Sequence, residues 1–162
     1  MHKLTGKVQH YAWGGTAYIP ALLGIENTLQ QPYAEYWLGA HSSNPSIVQW
    51  KQNKGIALNE LIKEAAREWL GEKVAAQFGE LPYLFKVLDV KDMLSIQVHP
   101  SKAEAEKGFA RENEAGIPLN APHRNYKDAN HKPEVMLALS EFWLLHGFKE
   151  KNLLLQTLQQ TE

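Results

Sequence analysis

Three strand-like runs occupy the middle of the chain: Leu-Pro-Tyr-Leu-Phe-Lys-Val-Leu-Asp-Val at 81–90, Leu-Ser-Ile-Gln-Val-His-Pro at 94–100 and His-Lys-Pro-Glu-Val-Met-Leu-Ala-Leu at 131–139. Each mixes aliphatic residues with charged or amide groups, and a strand buries such groups only where something satisfies them. Residues two apart on a strand share a face and lie roughly 7 Å apart. The spacing therefore predicts that Gln97 and His99 converge on one side, joined by Ser95, while Ile96 and Val98 face the other way.

The remainder of the chain reads as short strands with helices between them. Leu4–Ala12 alternates loosely and ends at Trp13-Gly14-Gly15, where paired glycines suit a turn with positive φ. A short helical turn is predicted over Thr16–Leu23, stopped by Gly24, with Pro20 limiting its length. Tyr33–Ala40 is a strand candidate that puts Glu35 on the face of Trp37 and Gly39, and Ser46–Trp50 is another. Leu58, Leu61, Ile62, Ala65, Ala66 and Trp69 recur at helical spacing, predicting one amphipathic helix that ends at Gly71, with a second helical piece at Glu72–Phe78. Ser101 followed by Glu104 is a capping-box pattern and starts a helix running to about Glu112. Residues 116–130 form a long ordered or lid-like loop, strands follow at Glu134–Leu139 and Phe142–Phe148, and the leucines of 153–158 begin a helix. Six or so short strands separated by turns predict a mainly-β sandwich or barrel with peripheral helices.

Composition narrows the chemistry. Seventeen basic and eighteen acidic residues leave a formal charge of −1, so no extended attraction exists for a nucleic-acid backbone or an anionic membrane surface. No run approaches the roughly 18 to 20 apolar residues of a membrane span, and no leader-like apolar stretch opens the chain. A cytoplasmic protein is expected. With no cysteine, any metal must be held by imidazole, carboxylate, amide or water.

His99 and Glu134 are strong ligand types for a zinc-like ion and Gln97 a weaker one, but the spacing alone equally fits hydrogen-bonding roles inside a pocket. Lys86 lies between apolar neighbours and needs an anion or a lowered pKa, which an anionic substrate such as a phosphate would satisfy. Lys132 shares the parity of Glu134. Trp13, in its glycine-rich turn, is the best candidate among the tryptophans for a substrate wall. Ser95 lacks a nucleophile elbow, and neither a P-loop nor a Gly-x-Gly-x-x-Gly is present, so serine hydrolysis and nucleotide cofactors are not expected.

Taken together, Tyr11-Ala12-Trp13-Gly14, the Glu35–His41 segment, Leu81–Leu88, Leu94–Pro100, Asn125-Tyr126-Lys127-Asp128 and His131-Lys132-Pro133-Glu134 closely resemble the type I phosphomannose isomerases, over about residues 5 to 149. The resemblance implies a cupin-like jelly-roll catalytic domain, incomplete in this chain. It also implies a Zn2+-dependent aldose–ketose isomerase acting on mannose 6-phosphate and fructose 6-phosphate through a cis-enediol. It further implies Gln97, His99 and Glu134 as zinc ligands, Lys132 and His131 at the catalytic centre, and Trp13, Glu35, Lys86 and Ser95 in the substrate pocket. Members of the family are usually more than twice as long. A fourth ligand histidine and a catalytic arginine belong to the part not matched, and Ser42 stands where proline commonly follows Gly-Ala-His. The expected organisation is therefore a partial catalytic domain over 1–149 and the start of a helical domain over 150–162, with an exposed sheet edge that favours dimers. The rival expectation is a non-catalytic fragment binding sugar phosphate or a partner chain.

Overall fold

The first ninety residues form strands largely where alternation predicts them, and Gly6 decides how they are shared out. In the computed structural model, which describes residues 2–49 and 55–160, the chain divides into two compact units, Met1–Leu94 and Ser95–Glu162. In the first unit, β1 (Leu4–Thr5) and β2 (Lys7–Gln9) flank Gly6 but enter different sheets. A Cβ at Gly6 would lie 2.2 Å from the Trp37 carbonyl oxygen, so only glycine fits the crossing. Its N–H donates to the Tyr36 hydroxyl at 2.7 Å.

One antiparallel sheet is β2, β3 (Glu35–Leu38) and β6 (Phe85–Leu88), with β3 in the centre; the other is β1, β4 (Ile47–Gln49) and β5 (Gly55–Ala57), with β4 in the centre. The strand expected at Ser46–Trp50 thus appears as β4, with Trp50 outside the described residues. Two antiparallel sheets with helices beside them give the mainly-β class expected. In the β2–β3–β6 register, Gln9, Glu35 and Leu88 lie in one row and Lys7, Trp37 and Lys86 in the next, all on one face.

The turn after β2 is fastened on both sides. Gly15 N–H donates to the Asp89 carbonyl at 2.8 Å, Tyr33 N–H to the Gly15 carbonyl at 2.8 Å and Lys91 N–H to the Trp13 carbonyl at 3.0 Å. Neither Gly14 nor Gly15 has the positive φ expected of them. They are glycines because backbone and side chains come too close: a Cβ on Gly14 would be 2.6 Å from the Ala34 backbone, and one on Gly15 would be 2.1 Å from the Asp89 carboxylate. That carboxylate accepts from Tyr18 N–H at 3.0 Å and Ile19 N–H at 3.4 Å, capping the first turn of α1 (Tyr18–Leu23) from across the unit. Gly24, with φ 66°, ends α1 as predicted. Ile19, Ala34, Val48, Leu61 and Ile62 form the buried apolar centre.

The single amphipathic helix expected over 58–69 is two: α2 (Leu58–Glu64) and α3 (Ala66–Phe78), parted at Ala65 (φ −144°, ψ 60°). No glycine or proline marks that break. Alpha2 follows β5 without a linker and buries Leu61 and Ile62, so packing rather than local propensity sets its direction. The stop predicted at Gly71 is present as a positive-φ kink (φ 77°) inside α3.

In the second unit, α4 (Lys102–Glu114) begins where the capping box predicts, with Ser101 Oγ accepting from Glu104 N–H at 3.3 Å. The loop after it folds back on the helix around a buried ion pair. Arg124 donates to the carbonyls of Tyr126 (2.7 Å) and Ile117 and to Asn113 Oδ1 (2.7 Å), with Glu112 Oε2 3.7 Å away. Glu112 accepts from the backbone N–H groups of Tyr126 (2.8 Å) and Asn125 (3.2 Å). Tyr126 lies over Gly108, where a Cβ would be 2.4 Å from its ring.

The strands expected at 94–100, 131–139 and 142–148 are a correction. None of these runs forms a ladder among the described residues, though Leu94 and Leu144 are single bridge residues, and every residue from 131 to 141 is exposed. A strand exists only when a neighbour satisfies its N–H and C=O groups, and no described strand pairs with these runs. The helix expected near the end is α5 (Lys151–Gln159). Among the described residues no helix is long and apolar enough to cross a membrane.

Two outcomes follow for the second unit. Gly108→Ala should cost about 1–3 kcal/mol in urea denaturation, because the methyl group collides with the Tyr126 ring. Burial alone would raise the Glu112 carboxyl, but the Tyr126 and Asn125 N–H groups, the Asn125 amide and the Arg124 guanidinium hold it below the ordinary carboxylate range. Its contribution is therefore present above the unfolded value of about 4.3 and is lost as pH falls through the lower folded value. Protection factors of the amides at 117–126, corrected for the intrinsic exchange rate, should fall on acidification in this range, and Glu112→Gln should remove that pH dependence.

Candidate metal centre and substrate face

In the second unit, His99 and Glu134 meet although 35 positions separate them. His99 Nε2 lies 3.6 Å from Glu134 Oε2, the two side chains being 31% and 56% exposed. Pro100 and the Ser101 cap place His99 immediately before α4. On the other side, Lys102 Nζ donates to the Ala129 carbonyl at 3.0 Å and to Asn130 Oδ1 at 2.9 Å, and Asn130 N–H donates to Asp128 Oδ1 at 2.8 Å. These contacts anchor the chain just ahead of the His-Lys-Pro-Glu run.

The pair suits a metal ion geometrically. Nitrogen and oxygen ligands each about 2.0–2.2 Å from a tetrahedral ion stand roughly 3.3–3.6 Å apart. No cluster of three or more His, Cys, Asp or Glu side chains occurs among the described residues, so a third protein ligand would be another donor type. Gln97, two residues before His99 and exposed, is such a donor. Ser95, His131 and Lys132 are also exposed in this unit, and among the described residues no hydrogen bond fixes them as a constellation.

In the first unit, the polar face of the β2–β3–β6 sheet gathers Glu35, Trp37 and Lys86. Glu35 is buried, and its Oε2 accepts from Trp37 Nε1 at 2.5 Å and lies 3.7 Å from Lys86 Nζ. The anion that the sequence demanded for Lys86 is supplied here by a neighbouring strand. The same ammonium sits 5.3 Å from the Trp37 ring centroid, and His41 packs against the indole at 4.9 Å. Trp13 stacks on Tyr11 with centroids 5.6 Å apart. Burial first, and then the Glu35 charge, raise the Tyr11 phenol above its ordinary value.

Sequence reasoning placed Trp37 beside Glu35 but missed two further groups, Gln9 and Tyr11. Gln9 lies directly across from Glu35, and its Nε2 is buried without a hydrogen-bond partner. A signal was present, because Gln9, Tyr11 and Trp13 repeat at a period of two just as Glu35 and Trp37 do. Chemically, the face offers a shielded carboxylate, an ammonium and aromatic walls, a combination that can hold a polar, anionic small molecule.

Comparison with known proteins places the chain in one family. Residues 1–151 match the family model for phosphomannose isomerase type I, catalytic domain. The mannose-6-phosphate isomerases of Salmonella typhimurium and Escherichia coli are each 48% identical over 159 residues, covering 98% of this chain and 41% of theirs. The chain therefore spans about two-fifths of the length of these relatives. The crystal structure of the Salmonella typhimurium enzyme bound to substrate (f6p) and a zinc atom superimposes with a TM-score of 0.71 at 51% identity, covering 82% of this chain and 33% of that one. With 151 of its 162 residues matched, the chain belongs to the type I phosphomannose isomerase family, within the catalytic domain.

Proposed function

We propose that this chain supplies the metal-binding segment and part of the substrate face of a zinc-dependent isomerase that interconverts mannose 6-phosphate and fructose 6-phosphate through a cis-enediol. The observation that carries the reading is the 3.6 Å approach of His99 Nε2 to Glu134 Oε2. The relatives' names, and the zinc and f6p in the Salmonella structure, support the reaction and its cofactor.

Gln97, His99 and Glu134 would hold the zinc. When bound, zinc supplies a Lewis acid that polarises a carbonyl or hydroxyl oxygen. Moving a proton between C1 and C2 of the sugar also needs a base, and Lys132 and His131, adjacent in the His-Lys-Pro-Glu run, carry that role between them. Lys86 and Ser95 would bind phosphate or hydroxyl oxygens, with Glu35 orienting Lys86 and accepting a sugar hydroxyl, and Trp13 forming a wall. Residues 1–149 are read as part of a cupin-like catalytic domain and 150–162 as the start of a helical one. The start of α5 at Lys151, where the family match ends, supports that division. The location is read as cytoplasmic, and the absence of cysteine is compatible with a reducing compartment.

The test is zinc titration together with an isomerisation assay. The chain alone should bind zinc weakly, and His99→Ala or Glu134→Ala should weaken binding by at least about tenfold. Isomerase turnover by the 162-residue chain should be slight, since the resemblance assigns a fourth ligand histidine and a catalytic arginine to a part of the family that this chain, covering 41% of its relatives, does not match. Robust turnover by this chain alone would overturn that assignment. Size measurement in the same samples checks the dimer expected from an open sheet edge.

A further inference from the structure

His99 and Glu134 belong to no ladder that could fix their separation, yet their side chains meet at 3.6 Å. The only charged side chain linking the start of α4 to the segment just before Glu134, among the hydrogen bonds of the described residues, is Lys102. It lies three positions after His99, and Asn130 lies four positions before Glu134, so Lys102 closes the loop almost at the ligand pair itself.

Its location is costly by local rules. Lys102 is the first residue of α4, where the positive end of the helix dipole disfavours a cation. Glu106, one turn on at 3.5 Å, offsets part of that cost. The Ala129 carbonyl and Asn130 Oδ1, at 3.0 and 2.9 Å, take up two of its three donors. The cation thus serves a tertiary purpose at a position where helix propensity and charge would favour an acid.

We propose that Lys102 is a positioning residue for the His99–Glu134 pair: by gripping Ala129 and Asn130 against the N-terminus of α4, it brings the Glu134 carboxylate to the His99 imidazole. The link to metal binding rests on the isomerase reading above; the positioning itself rests on geometry alone.

The chain has no cysteine, so nitroxide labels on cysteines at the exposed positions Val98 and Val135 report the separation directly. The unaltered background should give a narrow distance distribution and Lys102→Met a longer, broader one. Lys102→Arg should restore it, and Lys107→Met, which removes another exposed lysine of α4, should leave it unchanged. Asn130→Ala, which deletes one acceptor, should shift it in the same direction by less, and it decides the matter if Lys102→Met does not fold. In unlabelled protein, Co2+ titration followed by visible absorption should show about tenfold weaker binding for Lys102→Met. An unchanged distance distribution in Lys102→Met or, failing its folding, in Asn130→Ala overturns the proposal. Absence of Co2+ binding by the parent chain, with the distance still responding to Lys102→Met, would overturn the metal reading and leave the positioning role standing.

Discussion

Strand β3 is hydrogen-bonded on both edges, and the first unit depends on that double pairing. Opposite Glu35 stand Gln9 on one side and Leu88 on the other; opposite Trp37 stand Lys7 and Lys86. Because period-two alternation is rigid, fixing the register of one pair fixes the face of every other residue in the sheet. The polar groups therefore arrive together, and the carboxylate of Glu35 satisfies both the indole N–H and the ammonium beside it. Asp89, just past the end of β6, extends the same order to α1 by capping it, and to the Trp13 turn through its carbonyl.

The second unit reaches a defined shape by other means. Where the runs at 94–100 and 131–139 lack strand neighbours, side chains take over the task of ladder hydrogen bonds. Arg124 and Glu112 satisfy six backbone or side-chain groups between residues 113 and 126 and pair with each other. An ion pair this buried is tolerated because each guanidinium nitrogen of Arg124 and each carboxylate oxygen of Glu112 has a hydrogen-bond partner, which offsets the desolvation that isolated charges would suffer. Order imposed in this way is local, and it ends near Asn130. Beyond that point Val135, Leu137, Leu139, Trp143 and Phe148 present apolar side chains to solvent.

That contrast has a functional side. The groups on the β2–β3–β6 face are held by a sheet, while the proposed ligand pair His99 and Glu134 flanks a loop tied to α4 by Lys102 and Asn130. Metal ligands need separations set to a few tenths of an ångström, and the outer groups that orient them count nearly as much as the ligands. A single exposed ammonium holding the loop is a modest restraint for such a demand.

Several elements were legible in the residues alone. The helix at α4 follows from Ser101 and Glu104, the end of α1 from Gly24, the kink in α3 from Gly71, and the shared face of Glu35 and Trp37 from alternation. These are local effects, decided within a few residues by backbone conformation and capping. The candidate ligands were also named from sequence, though through resemblance rather than spacing. Not legible were the break at Ala65, the close approaches that make Gly6, Gly14 and Gly15 obligatory, the buried Arg124–Glu112 pair and the grip of Lys102 on Ala129. The runs at 94–100 and 131–139 were misread as strands for the same reason. By itself the sequence determined which segments could turn, coil or extend; only the tertiary structure decided which of them found partners, because a hydrogen bond or a steric limit between distant residues leaves no local pattern along the chain.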